Sequence, residues 1–106
     1  MAEQAWTDVV HDGSRSTVAV HGEVDVSSAE VVQAAVDQAR QAGCTDLVVD
    51  LAGVTFMDLS GLRVLHTAAT DGVSLVVRNP TRLVRRVIDL AGMAELLPVE
   101  GADEVG

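Results

Sequence analysis

A carboxylate, a hydroxyl and a glycine fall together in Asp58-Leu59-Ser60-Gly61-Leu62. The segment follows the apolar run Leu47-Val48-Val49-Asp50-Leu51 and leads into residues at helical spacing. The order predicts a strand that ends and a helix that begins at this corner. The first N–H groups of a helix have no internal partner and carry partial positive charge, so anions and phosphate suit the position. Two roles are open to Ser60. Its hydroxyl can cap the helix, or it can accept a phosphoryl group, which adds about −1.5 to −2 charge.

Other chemistry is poorly served. The surroundings of Ser60 are not the Gly-x-Ser-x-Gly of a nucleophile elbow. His66 lies roughly 240° further around the helix and cannot turn back to Ser60. His11 and His21 fall at strand ends with nothing beside them that marks a base. The histidines and Cys44 are scattered, without Cys-x-x-Cys or His-x-x-x-His spacing, so no metal or cofactor is expected. No glycine-rich phosphate loop occurs, and the chain has no lysine. The expectation is a protein that is not an enzyme. Cys44 reads as a small apolar filler, with a redox sensor as the alternative. Arg82, Arg85 and Arg86 form a basic cluster, either a solvated face or a docking patch. Glu23 and Asp25 precede the first helix, at the end of the strands where Asp58 also falls. Loops at the carboxyl ends of parallel strands gather functional groups.

The elements that must position these residues follow from patterning. Trp6–Val10 and Ser16–Val20 read as strands joined through the turn signal Asp12-Gly13-Ser14. Ser27-Ser28-Ala29-Glu30 has the form of a capping box, and Val32, Ala35, Val36 and Ala39 continue at helical spacing until Gly43. Asp46–Leu51 reads as a central parallel strand, Ser60–Ala69 as a helix stopped by Asp71-Gly72, and Val73–Arg78 as another strand. Asn79-Pro80 predicts a cap and first turn for a helix closed by Gly92, and Leu96–Val99 a short last segment. The fold class is therefore α/β: a four-stranded, mostly parallel sheet, its first strand antiparallel, with helices packed mainly on one face. Val32, Val36, Val48, Leu62, Leu65, Val76, Val84 and Ile88 are the expected core.

The 106 residues suit one domain over 1–106, with a core at about 5–100 and an acidic, frayed tail at 101–106. Only Trp6 and Phe56 are aromatic, so Val, Leu and Ala must fill the interior. A net charge of -9 repels nucleic acid and anionic membranes. One cysteine, no apolar run of membrane-spanning length and no basic N-terminal start together predict a cytoplasmic protein.

Gly22-Glu23-Val24-Asp25, Leu47–Leu51, Phe56–Leu65, Asn79-Pro80 and Val87–Met93, in that order, resemble the STAS domain of bacterial anti-sigma factor antagonists. The resemblance covers about residues 5–100. It implies a partner-switching module of transcription regulation and stress response, monomeric or weakly dimeric. Unphosphorylated, such a protein binds an anti-sigma factor that is also a serine kinase and so releases a sigma factor. The implied partner-binding residues are Glu23, Asp25, Asp58, Leu59, Ser60, Gly61 and Leu62. Family members commonly place the phosphorylated hydroxyl directly after the aspartate. Leu59 stands there in this chain, so the usual switch is expected to be disabled, with Ser60 serving as the helix cap and the domain constitutively able to bind; the competing reading takes Ser60 as the phosphoacceptor candidate. The second helix is also shorter than the family's by about one and a half turns. The other reading of the same resemblance is a STAS subunit contacting the ATPase of a lipid ABC transporter.

Overall fold

The computed structural model describes residues 4–100; the acidic tail at 101–106 lies outside them. Strand β1 (Ala5–Asp12) and strand β2 (Arg15–Val24) form a hairpin that closes at the pair Asp12↔Arg15. Gly13, at φ 64, supplies the left-handed residue that a two-residue hairpin loop requires. There follow helix α1 (Ala29–Gln41), strand β3 (Asp46–Met57), helix α2 (Leu59–Thr70), strand β4 (Ser74–Arg78), helix α3 (Arg82–Leu90) and strand β5 (Val99–Glu100).

The sheet order is β1-β2-β3-β4-β5, with the first pair antiparallel and the others parallel. Parallel crossovers of one hand, each moving to the next position, must leave their helices on one face. They do. Val32 and Val36 of α1, Leu62 and Leu65 of α2, and Val84 and Ile88 of α3 share one buried cluster with Val18, Val20, Leu47, Val49, Leu75 and Val77. Cys44 is buried in the same cluster, as a filler would be. β5 adds a fifth strand to the expected four: Val77 N–H donates to the Pro98 carbonyl at 2.8 Å and Asn79 N–H to that of Glu100 at 3.2 Å.

Four local expectations need correction. Val76 is only half-buried, because its neighbours Leu75 and Val77 take the helix-facing positions of β4. Val48 shares that opposite parity on β3, although it is only 2% exposed. β3 runs on to Met57 rather than ending at Leu51. Its register against β2 shifts twice, so the core residues Leu51, Val54 and Met57 are three apart instead of two. The capping box does not form: Ser28 occupies the N-cap of α1 without a side-chain cap bond. Finally, Thr81, not Asn79, caps α3, its Oγ1 accepting the Val84 N–H at 3.3 Å, while Asn79 turns through φ 53.

A candidate partner-binding corner

Two strand ends meet where β3 hands the chain to α2. The Asp58 N–H donates to the Val24 carbonyl at 3.1 Å, and Val24 pairs in register with Met57. This ties the Glu23–Asp25 segment to Asp58–Leu62, as expected for one shared corner. Asp58 is the N-cap of α2, and its Oδ1 accepts the Ser60 N–H at 2.9 Å. Ser60 is therefore the second helical residue and not the cap. Among the described residues its hydroxyl makes no hydrogen bond, and the side chain is half-buried. Leu59 fills the first helical position and is 42% exposed.

Gly61 and Leu62 face inward. A Cβ on Gly61 would lie 2.7 Å from Val24 Cγ1 and 3.0 Å from Met57 Cγ, so the bare backbone lets the first turn of α2 close on both strand ends. Leu62 is fully buried. These two residues seat the helix, and its outer surface falls to Asp58, Leu59 and Ser60.

Asp25 is held on every side. Its carboxylate accepts from the Ser27 N–H at 2.9 Å, the Ser27 hydroxyl at 2.8 Å and the Gln4 side-chain amide at 2.7 Å. The Ser27 hydroxyl, then Gln4, then the Ser27 N–H hold its carboxyl below the usual carboxylate range. Beneath it the Ser28 hydroxyl, 4% exposed, donates to the Glu23 carbonyl at 2.9 Å and accepts the Asp25 N–H at 3.0 Å. Gly22 permits the approach of β1. It sits at φ 93, and a Cβ there would collide with the Gln4 carbonyl that accepts the Glu23 N–H at 2.9 Å.

Sequence reasoning missed Gln4, Ser28 and Val26. Gln4 and Ser28 are too ordinary by type to stand out, and their role depends on the strand–turn geometry. Val26 left a signal: an apolar residue in an acidic turn, and it is 79% exposed. With Leu59, and with Phe56 at 43% exposure in register with Glu23, it gives this end of the sheet three exposed apolar side chains in segments that also carry Glu23, Asp25 and Asp58.

Fold and corner together define a small α/β domain whose exposed features suit binding at one end of its sheet. The chain matches the family model described as Mlab, STAS domain, over residues 7–98, and it belongs to the STAS domain family. The anti-sigma-B factor antagonist of Staphylococcus epidermidis is 29% identical over 92 residues, covering 83% of this chain and 85% of that protein. The structure of an anti-sigma factor antagonist from Mycobacterium paratuberculosis superposes with a TM-score of 0.80 at 26% identity, over 90% of this chain and 84% of that one. The anti-sigma factor antagonist SpoIIAA in its unphosphorylated form shares the fold, with a TM-score of 0.74 at 19% identity over 92% and 89% of the two chains. No helix among the described residues is long and apolar enough to cross a membrane.

Proposed function

We propose that this STAS domain is an anti-sigma factor antagonist, which binds an anti-sigma factor and so frees a sigma factor for transcription in the cytoplasm. The observation that carries the reading is the corner. Val26 and Leu59 stand exposed on either side of the Val24–Asp58 hydrogen bond, among Glu23, Asp25 and Asp58. Small apolar anchors inside a polar rim are the usual anatomy of a binding surface. The relatives named above are antagonists of anti-sigma factors, which favours this reading over a transporter subunit. The domain acts by binding and not by turnover, and its partner is an anti-sigma factor of the serine-kinase kind. Ser60 is the hydroxyl that the kinase would modify. Asp58 already satisfies the cap, so phosphorylating Ser60 leaves the start of α2 intact while adding charge to an acidic surface.

Titration calorimetry against each purified anti-sigma factor of the same genome tests the proposal. One of them binds the wild-type chain and loses affinity for Leu59→Arg. Failure of every anti-sigma factor to bind, with the folded domain intact, overturns it.

A further inference from the structure

The free edge of the sheet offers a second surface, away from α2. In the β1–β2 ladder the Glu23 N–H bonds the Gln4 carbonyl, so Gln4, Trp6, Asp8, Val10 and Asp12 turn their backbone groups toward β2. By the same alternation, Thr7, Val9 and His11 turn theirs outward. Among the described residues no strand or turn takes up those outward groups. Proteins commonly guard such an edge with proline, lysine or a bulge. β1 has none of these: its register with β2 is unbroken over Ala5–Asp12.

Beside this edge runs a groove of about 480 Å³, with Gln4, Ala5, Trp6 and Thr7 on one wall and Ser27 and Val31 on the other. The Trp6 side chain lies on the other face of the sheet from α1, beside the same edge, where it is 48% exposed and stacked on the His21 ring at 5.3 Å between centroids. Acids outnumber bases nearby, with Arg15 opposite Asp12 and His21 bonded to Asp8 at 3.2 Å. Asp8 and Asp12 lie on β1, Asp25 is bonded to Gln4, and Glu30 is on the first turn of α1.

We infer that the β1 edge and its groove bind an extended, basic segment of a partner protein, which adds to the sheet as a further strand beside Thr7–His11. Main-chain hydrogen bonds to Thr7, Val9 and His11 supply affinity; one alternating set of side chains enters the groove beside α1, and the other passes Trp6 and Asp8 on the opposite face. A second copy of this chain is the poorer occupant, because β1 against β1 brings together two bodies of net charge -9 with Asp8 and Asp12 on both strands. A lysine- or arginine-bearing strand meets the same carboxylates favourably. The inference does not depend on the role assigned to the α2 corner.

Trp6 is the sole tryptophan and lies on β1 itself, so its emission reports on occupation of this edge. The probe is a short, end-blocked peptide of alternating valine and lysine. Titrating it into the protein changes Trp6 emission saturably. N-methylating one alternating set of peptide amides abolishes the change, and methylating the other set does not, because only one set faces β1. Replacing lysine with glutamate also abolishes it. Thr7→Pro deletes an outward N–H without touching the β1–β2 ladder, and weakens the peptide at least about tenfold while thermal unfolding is unchanged. If that variant does not fold, the methylated peptides decide the matter on the wild-type chain. Absence of an emission change, equal binding of both methylated forms, or equal binding of the glutamate peptide overturns the inference. So does sedimentation showing that the protein pairs with itself through this edge.

Discussion

The Asp58 carboxylate accepts the Ser60 N–H at 2.9 Å, and this one bond divides the labour of the corner between its two polar side chains. Asp58 serves the helix, and the Ser60 hydroxyl is spared. Asp58→Ala therefore destabilises the domain by about 0.5–2 kcal/mol, the usual range for a lost cap. Ser60→Ala changes stability by less than about 0.5 kcal/mol, as a substitution of a side chain with no bonded partner should. Urea denaturation of the two variants side by side checks the assignment, and the reverse ranking would return the cap to Ser60.

Leu59 and Val26 are exposed apolar side chains with little to do for the fold, at 42% and 79% exposure. If they anchor a partner, Leu59→Arg and Val26→Asp each weaken binding by about 1–3 kcal/mol while the unfolding midpoint holds. Affinity and thermal stability measured on the same preparations separate this from general damage. Parallel loss of both would place the interface elsewhere.

The helix ends were legible in the sequence, but which residue caps each helix start was not. Gly43 and Gly92 close α1 and α3 in the same way. The Gly43 N–H returns to the Arg40 carbonyl and the Cys44 N–H to that of Ala39, a pattern repeated by Gly92 and Met93. A glycine at that position has few other uses. Each start, by contrast, has two polar residues competing for one role: Ser27 or Ser28, Asp58 or Ser60, Asn79 or Thr81. The outcome depends on where the chain leaves its strand, which local type does not record. Apolar runs hide parity in the same manner. Leu75-Val76-Val77 is apolar throughout, and only the fold decides that the outer two face the helices. That Glu23, Asp25 and Asp58 share one corner was legible because Asp58 follows an apolar strand run and Glu23 and Asp25 precede the first helix, at the same end of the parallel strands. The extent of β3 was lost because its two register shifts break the period-two pattern.

Two glycines at the corner differ in what they tolerate. At Gly22 the obstacle is the Gln4 carbonyl and the backbone is at φ 93, so neither the side chain nor the turn can yield. Gly22→Ala costs about 1–3 kcal/mol from backbone strain, and loosens the N-terminal end of β1. At Gly61 the obstacles are side chains: Met57 can repack, but the nearer one, Val24 Cγ1 at 2.7 Å, belongs to a fully buried β-branched residue and must shift. Gly61→Ala costs about 1–3 kcal/mol, by overpacking rather than by backbone strain. Hydrogen exchange at the Glu23 amide distinguishes them: protection falls in the Gly22 variant and is retained in the Gly61 variant.

Asp25 gives the fold a sensitivity to acid. Hydrogen bonds from Ser27 and Gln4 lower its pKa in the folded chain, so the unfolded chain binds its proton more readily. The stability it contributes is therefore fully present above the unfolded value of about 3.9, declines as the pH falls below it, and is gone beneath the folded value. Asp25→Asn removes that contribution, so the urea midpoint of the variant falls less steeply than the wild type between about pH 5 and pH 2. Identical slopes for the two proteins would mean that other carboxylates carry the acid limb.

Phosphorylation is the remaining question at the corner, and Leu59 makes it sharp. The position directly after Asp58 carries no hydroxyl, and the next one, Ser60, has a hydroxyl that no protein group holds among the described residues. A phosphoryl group on the second residue of α2 lies in the favourable field of the helix N-terminus, an interaction worth about 0.3–1 kcal/mol when exposed. Modification should consequently leave the domain as stable as before, or slightly more so. Binding should fall, because about −1.5 to −2 charge joins Asp58, Asp25 and Glu23 on the same surface. Incubation with the bound anti-sigma kinase and ATP is expected to add one phosphate, mapped to Ser60 by fragment mass. Ser60→Ala should abolish the addition without loss of affinity. An active kinase that leaves the mass unchanged would show that Leu59 has disabled the switch, and the domain would then bind its partner whenever it is made.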